Sequence, residues 1–159
     1  MTQLLPLTQG KFAIVDDDVY EQVKNMKWHT SKRGKLWYAE NNHRIFLHRL
    51  ILNAQIGEDC DHIDRNGLNN QRSNLRLASK SQNCMNKPKS SIKTSKYKGV
   101  CWHKLGKKWS AQIYRNKIKY HLGLFTNEID AARAYDKAAL EFFSKYAYLN
   151  FPKGVITNV

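Results

Sequence analysis

Between Asp64 and Glu128 every charged side chain is a lysine or an arginine, fifteen of them in all. A run this one-sided repels itself in isolation, so whatever folds there presents a surface that a polyanion completes. The whole chain leans the same way, with 27 Lys and Arg against 13 acids and a net charge of +14 over 159 residues. Neutralising phosphates releases counterions, which makes nucleic acid the natural partner. Composition by itself leaves room for a ribosome-associated or merely soluble basic protein. An apolar fraction of 42% with 11% aromatics supplies packed cores and excludes a disordered tail. The length suits one ordinary domain or two small ones.

Cys60, Cys84 and Cys101 form no C-x-x-C pair and are odd in number, which argues against a disulfide framework and for a reduced, cytoplasmic setting. No structural zinc is expected, because Cys60 and Cys84 with His43 or His48 match no usual finger spacing. Leu4 to Leu7 is too short for a signal peptide and is interrupted by Pro6; no apolar run reaches membrane-spanning length, so no membrane partner is expected.

The first 52 residues read as strands with one helix. Lys11-Phe-Ala-Ile-Val is a short apolar run closed by Asp16, Asp17 and Asp18, and Asp17 or Asp18 is placed to cap a helix with Tyr20, Val23 and Met26 on one face. Trp28-His-Thr, Gly34 and Leu36-Trp-Tyr-Ala suggest an aromatic hairpin. Arg44 to Leu52 reads as a strand turning into a helix or as one long buried strand, and periodicity does not choose. His48 sits in that run, either as a packed, hydrogen-bonded histidine or in a catalytic or metal role.

Cys60 to Asn83 concentrates the chemistry-bearing residues. An acid and a histidine, Asp61-His62, are followed by Asn66-Gly67, a signal for a type I′ turn because both central positions need positive φ. Ser79-Lys-Ser-Gln82 is a capping box that puts Asn83 in the second turn of a short helix, which Pro88 ends. A helix so short is stable only when packed on the hairpin. Asp61 offers the hard oxygen that Mg²⁺ or Mn²⁺ prefers, and His62 titrates in the range needed to take a proton from water. The dipeptide alone is equally readable as a surface turn with a hydrogen-bonded histidine.

The wider pattern, Asp61-His-Ile-Asp-x-Asn-x-Leu-x-Asn with Asn74-Leu75, Asn83 and the upstream His48-Arg-Leu-Ile, resembles the His-Asn-His (HNH) endonucleases of the ββα-metal fold, especially those of phages and mobile introns. The resemblance covers about residues 44–86. It implies His62 as general base, Asp61 and Asn83 as ligands of Mg²⁺ (or Mn²⁺), and Asn74 as the amide that ties loop to strand and holds the base. Asn83 stands where other branches carry histidine. Asn66, Asn69 and Asn70 read as turn and loop-stapling amides. Arg72 and Arg76 are candidates for phosphate contact, against solvated charge as the default.

Beyond a basic, Ser/Thr-rich linker that is expected to order against phosphate, Tyr97-Lys-Gly-Val, Trp109-Ser-Ala-Gln-Ile, Leu122-Gly-Leu-Phe-Thr, Ala131-Ala-Arg-Ala-Tyr-Asp-Lys-Ala-Ala and Leu149-Asn-Phe-Pro follow in order. They read as three antiparallel strands and one helix over 127–146, with Asn127 as its cap, Asp130 at its third position, and Ala131, Tyr135, Ala138 and Phe142 on one face. This segment resembles the AP2 DNA-binding domain, which implies a three-stranded sheet laid in the major groove and backed by the helix. Lys98, Trp102, His103, Trp109, Gln112, Tyr114 and Lys119 are the candidate DNA contacts, with Trp109 as readily a core residue. Cys101 and His103 replace arginines of the plant transcription factors, and Gln112 replaces an acid, so their site preference does not transfer.

The combined expectation is an α+β chain: an HNH domain over 1–88 (ββα core about 44–86), a linker over 89–96, an AP2-like domain over 97–152 and a tail over 153–159. Its function would be metal-dependent cleavage of double-stranded DNA leaving a 5′-phosphate, by a monomer that nicks, or by a homodimer. If phage-encoded, it would act in the host cytoplasm or nucleoid. The rival is a sequence-specific DNA-binding regulator whose nuclease half is a relic.

Overall fold

The structure is a computed structural model that describes residues 1–89 and 94–152; part of the expected linker and the whole expected tail lie outside the described residues. The architecture is α+β, with small antiparallel sheets and short helices. The chain divides into two compact units, Met1–Asn83 and Cys84–Val159.

In the first unit, β1 (Thr2–Pro6) pairs antiparallel with β2 (Phe12–Asp16), and β2 runs into α1 (Asp17–Val23). Leu5, Ala13, Val15, Val19 and Val23 close the core with Trp28, Ala39 and Leu47. Alternation along β2 buries Ala13 and Val15, as the period of two requires. α1 starts one residue earlier than a cap at Asp17 would have it, and two earlier than a cap at Asp18. Asp16 occupies the cap position, and its carboxylate accepts from the Arg72 amide at 2.8 Å rather than from the helix. The helix also stops at Val23, leaving Met26 exposed beyond it. There the Trp28 indole donates to the Val23 carbonyl at 3.1 Å and takes one of the terminal acceptors.

The aromatic hairpin forms as β3 (Trp28–Arg33) and β4 (Leu36–Asn41). The open choice over residues 44–52 resolves as a short helix, α2 (Leu47–Ile51), which buries Leu47 and His48. β5 (Asp59–His62) and β6 (Leu75–Ala78) then pair antiparallel, and α3 (Lys80–Met85) follows β6 almost at once. The capping box is present: Gln82 N donates to Ser79 Oγ at 3.2 Å, and Ser79 N donates to Gln82 Oε1 at 2.8 Å. α3 ends at Met85, short of Pro88.

In the second unit, β7 (Val100–His103), β8 (Lys108–Arg115) and β9 (Ile118–Phe125) form a sheet in the order β7-β8-β9. Asn116 and Lys117 both take positive φ, so β8 and β9 are joined by a tight primed turn centred on these two residues. α4 (Glu128–Phe143) is capped by Asn127, whose Oδ1 accepts from Ile129 N at 2.8 Å. Its buried stripe is Ala131, Ala132, Tyr135, Ala138, Ala139 and Phe143; Phe142, expected on that face, is only partly buried. The small residues let α4 approach the sheet, and Gly99 completes the fit: a Cβ there would lie 1.9 Å from the Tyr135 ring, at a φ of +77° that side chains rarely adopt. Asp136 fastens the end of the unit by accepting from Asn150 N and Phe151 N, each at 2.8 Å. No described helix is long and apolar enough to cross a membrane, and the three cysteines are free thiols.

Candidate active site and nucleic-acid interface

β5 delivers Asp61 and His62 side by side, 5% and 6% exposed. The loop that follows is no two-residue hairpin. It runs from Ile63 to Asn74, and the positive φ falls at Arg65 rather than at Asn66-Gly67. Gly67 is needed for space instead: a Cβ there would sit 2.4 Å from the Trp37 carbonyl and 2.6 Å from the Tyr38 ring. The turn is thereby pressed onto β4, which the local dipeptide signal could not foretell.

Amides hold the loop. Asn74 Nδ2 donates to Asp64 Oδ1 at 2.9 Å and to the Asn69 carbonyl at 2.8 Å, while its Oδ1 accepts from Asp64 N at 3.0 Å. Asn66 and Asn69 join through the two Asp64 oxygens. The backbone is sewn to β2 by Ile14 N to the Leu68 carbonyl at 2.8 Å and Asn70 N to the Ile14 carbonyl at 2.7 Å. The amide that touches the imidazole is Asn70, fully buried, with Oδ1 3.3 Å from His62 Nε2. Asn70 Nδ2 donates to the Gly67 carbonyl, so its oxygen faces the ring and accepts from Nε2–H. The neutral tautomer of His62 then carries its lone pair on Nδ1. Sequence reasoning passed over Asn70 as one loop amide among three.

Burial pushes the His62 pKa below its ordinary value, although the Asn70 bond and the charges of Asp64 and Asp61 act the other way. His48 packs edge-on against His62 with ring centroids 4.9 Å apart and stacks on Phe46. Burial, then the charges of His62 and Arg49, drive it down to about 3. Its Nδ1 is buried with no hydrogen-bond partner among the described residues, so His48 is the packed histidine without the bond expected for it. Tyr38 closes the aromatic wall, 5.7 Å from His48 and 5.9 Å from His62.

The two candidate arginines are both engaged. Arg72 donates from Nη1 to Asp18 Oδ1 at 2.8 Å and bonds Asp16 through its backbone amide. Arg76 faces Asp61 across the β5–β6 ladder, with Nε and Nη2 donating to Asp61 Oδ2 at 2.8 and 2.5 Å. Asp61 is therefore an anionic site that already attracts a cationic group. Asn83 lies partly exposed on α3, its backbone N–H donating to the Ser79 carbonyl at 2.9 Å. By chemical type, a carboxylate and an amide oxygen are the hard donors that Mg²⁺ or Mn²⁺ prefers. No group of three or more His, Cys, Asp and Glu among the described residues is placed to hold a metal.

In the second unit, register sorts the candidate contacts by face. Val100, Ala111 and Ile113 point to α4, and Trp109 packs with them against Ala131 and Ala132. Trp102 is paired with Trp109 across the strands, ring centroids 5.0 Å apart, and so shares that side. His103, Gln112, Tyr114 and Lys119 alternate onto the opposite face, where Tyr114 is 57% exposed. His121, paired with Gln112 and 3.3 Å from Ser110 Oγ, belongs to this face too, a residue the strand period alone would have found. Lys98 is placed otherwise: its Nζ donates to the Met85 and Lys87 carbonyls at 2.8 and 2.7 Å.

No family model matches the chain. It is 36% identical over 153 residues, 92% of its own length and 79% of the relative's, to an uncharacterized HNH endonuclease, L560, of Acanthamoeba polyphaga mimivirus. The chain belongs to the HNH endonuclease family. A second group of relatives matches a shorter stretch of this HNH chain. APETALA2-like protein 2 of Oryza sativa is 45% identical over 60 residues, 36% of this chain and 14% of that protein. The AP2/ERF and B3 domain-containing transcription factor RAV1 of Arabidopsis thaliana is 45% identical over 60 residues, 38% of this chain and 17% of that protein. The HNH chain thus carries an AP2-like domain and spans only a small part of those plant proteins.

Proposed function

We propose that the protein is a metal-dependent DNA endonuclease in which β5, β6 and α3 form a ββα-metal core within 1–88, directed to double-stranded DNA by the AP2-like domain over 97–152. The observation that carries this reading is His62, buried and neutral beside Asp61, with Nε2 occupied by Asn70. Such a histidine takes a proton from water at Nδ1 near neutral pH without first having to lose one. Asn70 fixes the ring, and Asn74 fixes the loop that carries Asn70. Asp61 and Asn83 would hold Mg²⁺ (or Mn²⁺), which supplies positive charge for the phosphate and the leaving oxygen. His103, Gln112, Tyr114 and Lys119 offer an exposed strand face of donors, an aromatic ring and a cation for the major groove.

Supercoiled plasmid incubated with wild type and with His62→Ala, in Mg²⁺ or in EDTA, tests the reading. Relaxation by wild type in Mg²⁺ only, with a loss of at least about a hundredfold in His62→Ala, is the expected result. Equal cleavage by both proteins would overturn the mechanism. Binding without cleavage would make the protein a DNA-binding regulator instead.

A further inference from the structure

Arg76 holds the carboxylate on which the proposed cation site depends. The pair is fixed by register, since Asp61 and Arg76 are directly opposed on β5 and β6. Both side chains are largely withdrawn from solvent, 6% and 10% exposed, so neither charge is screened by water. Nε and Nη2 converge on one oxygen, Oδ2. The pair is neutral. A divalent ion added beside it leaves a net local charge of +2 in a buried place, and Asn83 brings no compensating charge. Cation and guanidinium therefore oppose each other at Asp61. A guanidinium fork binds phosphate as readily as carboxylate, and DNA brings phosphate to this site. Arg72 has no such role, being tied at the surface to Asp18.

Resting on the nuclease reading above, we propose that Arg76 gates the cation site: it holds Asp61 in the free protein and passes to a DNA phosphate when the cation enters, so that metal and DNA bind cooperatively. Linkage makes the effect reciprocal, with the cation tightening DNA binding by the factor that DNA tightens cation binding. A chain this basic meets DNA at random, and the gate leaves it unloaded until a phosphate is seated at Asp61.

The test is Mn²⁺ binding followed by electron paramagnetic resonance, in a His62→Ala background so that DNA stays intact, with Asp61→Asn and DNA alone as blanks. Arg76→Gln is expected to raise Mn²⁺ affinity of the free protein by about tenfold and to abolish most of the further gain that a short duplex gives with Arg76 present. Unchanged or weaker affinity in Arg76→Gln, or a duplex gain that persists, overturns the gate. Should Arg76→Gln fail to fold, the Arg76 Nε–H resonance of the intact chain decides: it shifts when duplex and Mg²⁺ are added together, and an unmoved resonance overturns the proposal. Mg²⁺-dependent cleavage by wild type alongside unaltered Mn²⁺ affinity in the variant would sink the gate and leave the nuclease reading standing. Absence of both cleavage and Asp61-dependent Mn²⁺ binding would sink the two together.

Discussion

His48 and His62 share the leading cause of their lowered pKa values, burial, and that ties the stability of the first unit to pH. Both carry a folded-state pKa below the ordinary value of 6.5. Above that value neither state binds the proton and the stabilisation is complete. Below it the unfolded chain takes up protons that the folded chain refuses, so stability falls as pH falls, by about 1.4 kcal/mol per unit for His48, with His62 acting in the same direction. For His48 the decline continues towards its folded value of about 3. Urea denaturation at pH 7 and pH 5 should differ by about 2 kcal/mol from His48 alone, and equal stabilities would contradict the account. That Asp61 and His62 lie together was legible in the sequence because neighbouring residues share a strand, here β5. The part played by Asn70 was not. Asn66, Asn69 and Asn70 are equivalent as letters, and the choice among them is made by the bonds of residues 68–70 to Ile14, more than fifty residues away.

At the scale of elements, strictly local signals were readable and long-range ones were not. The Ser79–Gln82 box and the Asn127 cap involve residues within one helical turn, and both form as expected. The Asn66-Gly67 dipeptide pointed to the wrong turn, because the shape of that loop is set by Trp37 and Tyr38. Gly67→Ala should therefore destabilise through overpacking, by about 1–3 kcal/mol, since one clash is with backbone that cannot swing aside. A shift in the chemical denaturation midpoint with unchanged slope checks this. An alanine tolerated at no cost would mean that β4 does not press on the turn. The early start of α1 has a similar origin: Asp16 is claimed by Arg72, a partner invisible from the helix's own sequence.

Across the whole molecule the positive charge is distributed by use rather than evenly. Lys119 stands on the exposed sheet face, whereas Lys98 and Lys89 spend their ammonium groups on backbone carbonyls. Duplex binding measured by fluorescence anisotropy across a salt series should separate them. Lys119→Ala should flatten the dependence of log K on log salt by about 0.9, while Lys98→Ala should leave the slope alone and lower stability. A slope that falls in Lys98→Ala and not in Lys119→Ala would reverse the assignment. Strand alternation made the outward face of the sheet largely readable. By the same alternation Trp102 shares the side of Val100, opposite Trp109 on the edge strand, where it stays 38% exposed.

The bonds between β2 and the loop over residues 68–72 decide what could be moved into another protein. A graft limited to residues 44–86 would carry every motif residue yet strip the Leu68 carbonyl and the Asn70 and Arg72 amides of Ile14 and Asp16, leaving the Asn70 side chain without a fixed bearing on the imidazole. The smallest transplantable piece of this site is therefore larger than its motif and begins with the hairpin at the start of the chain.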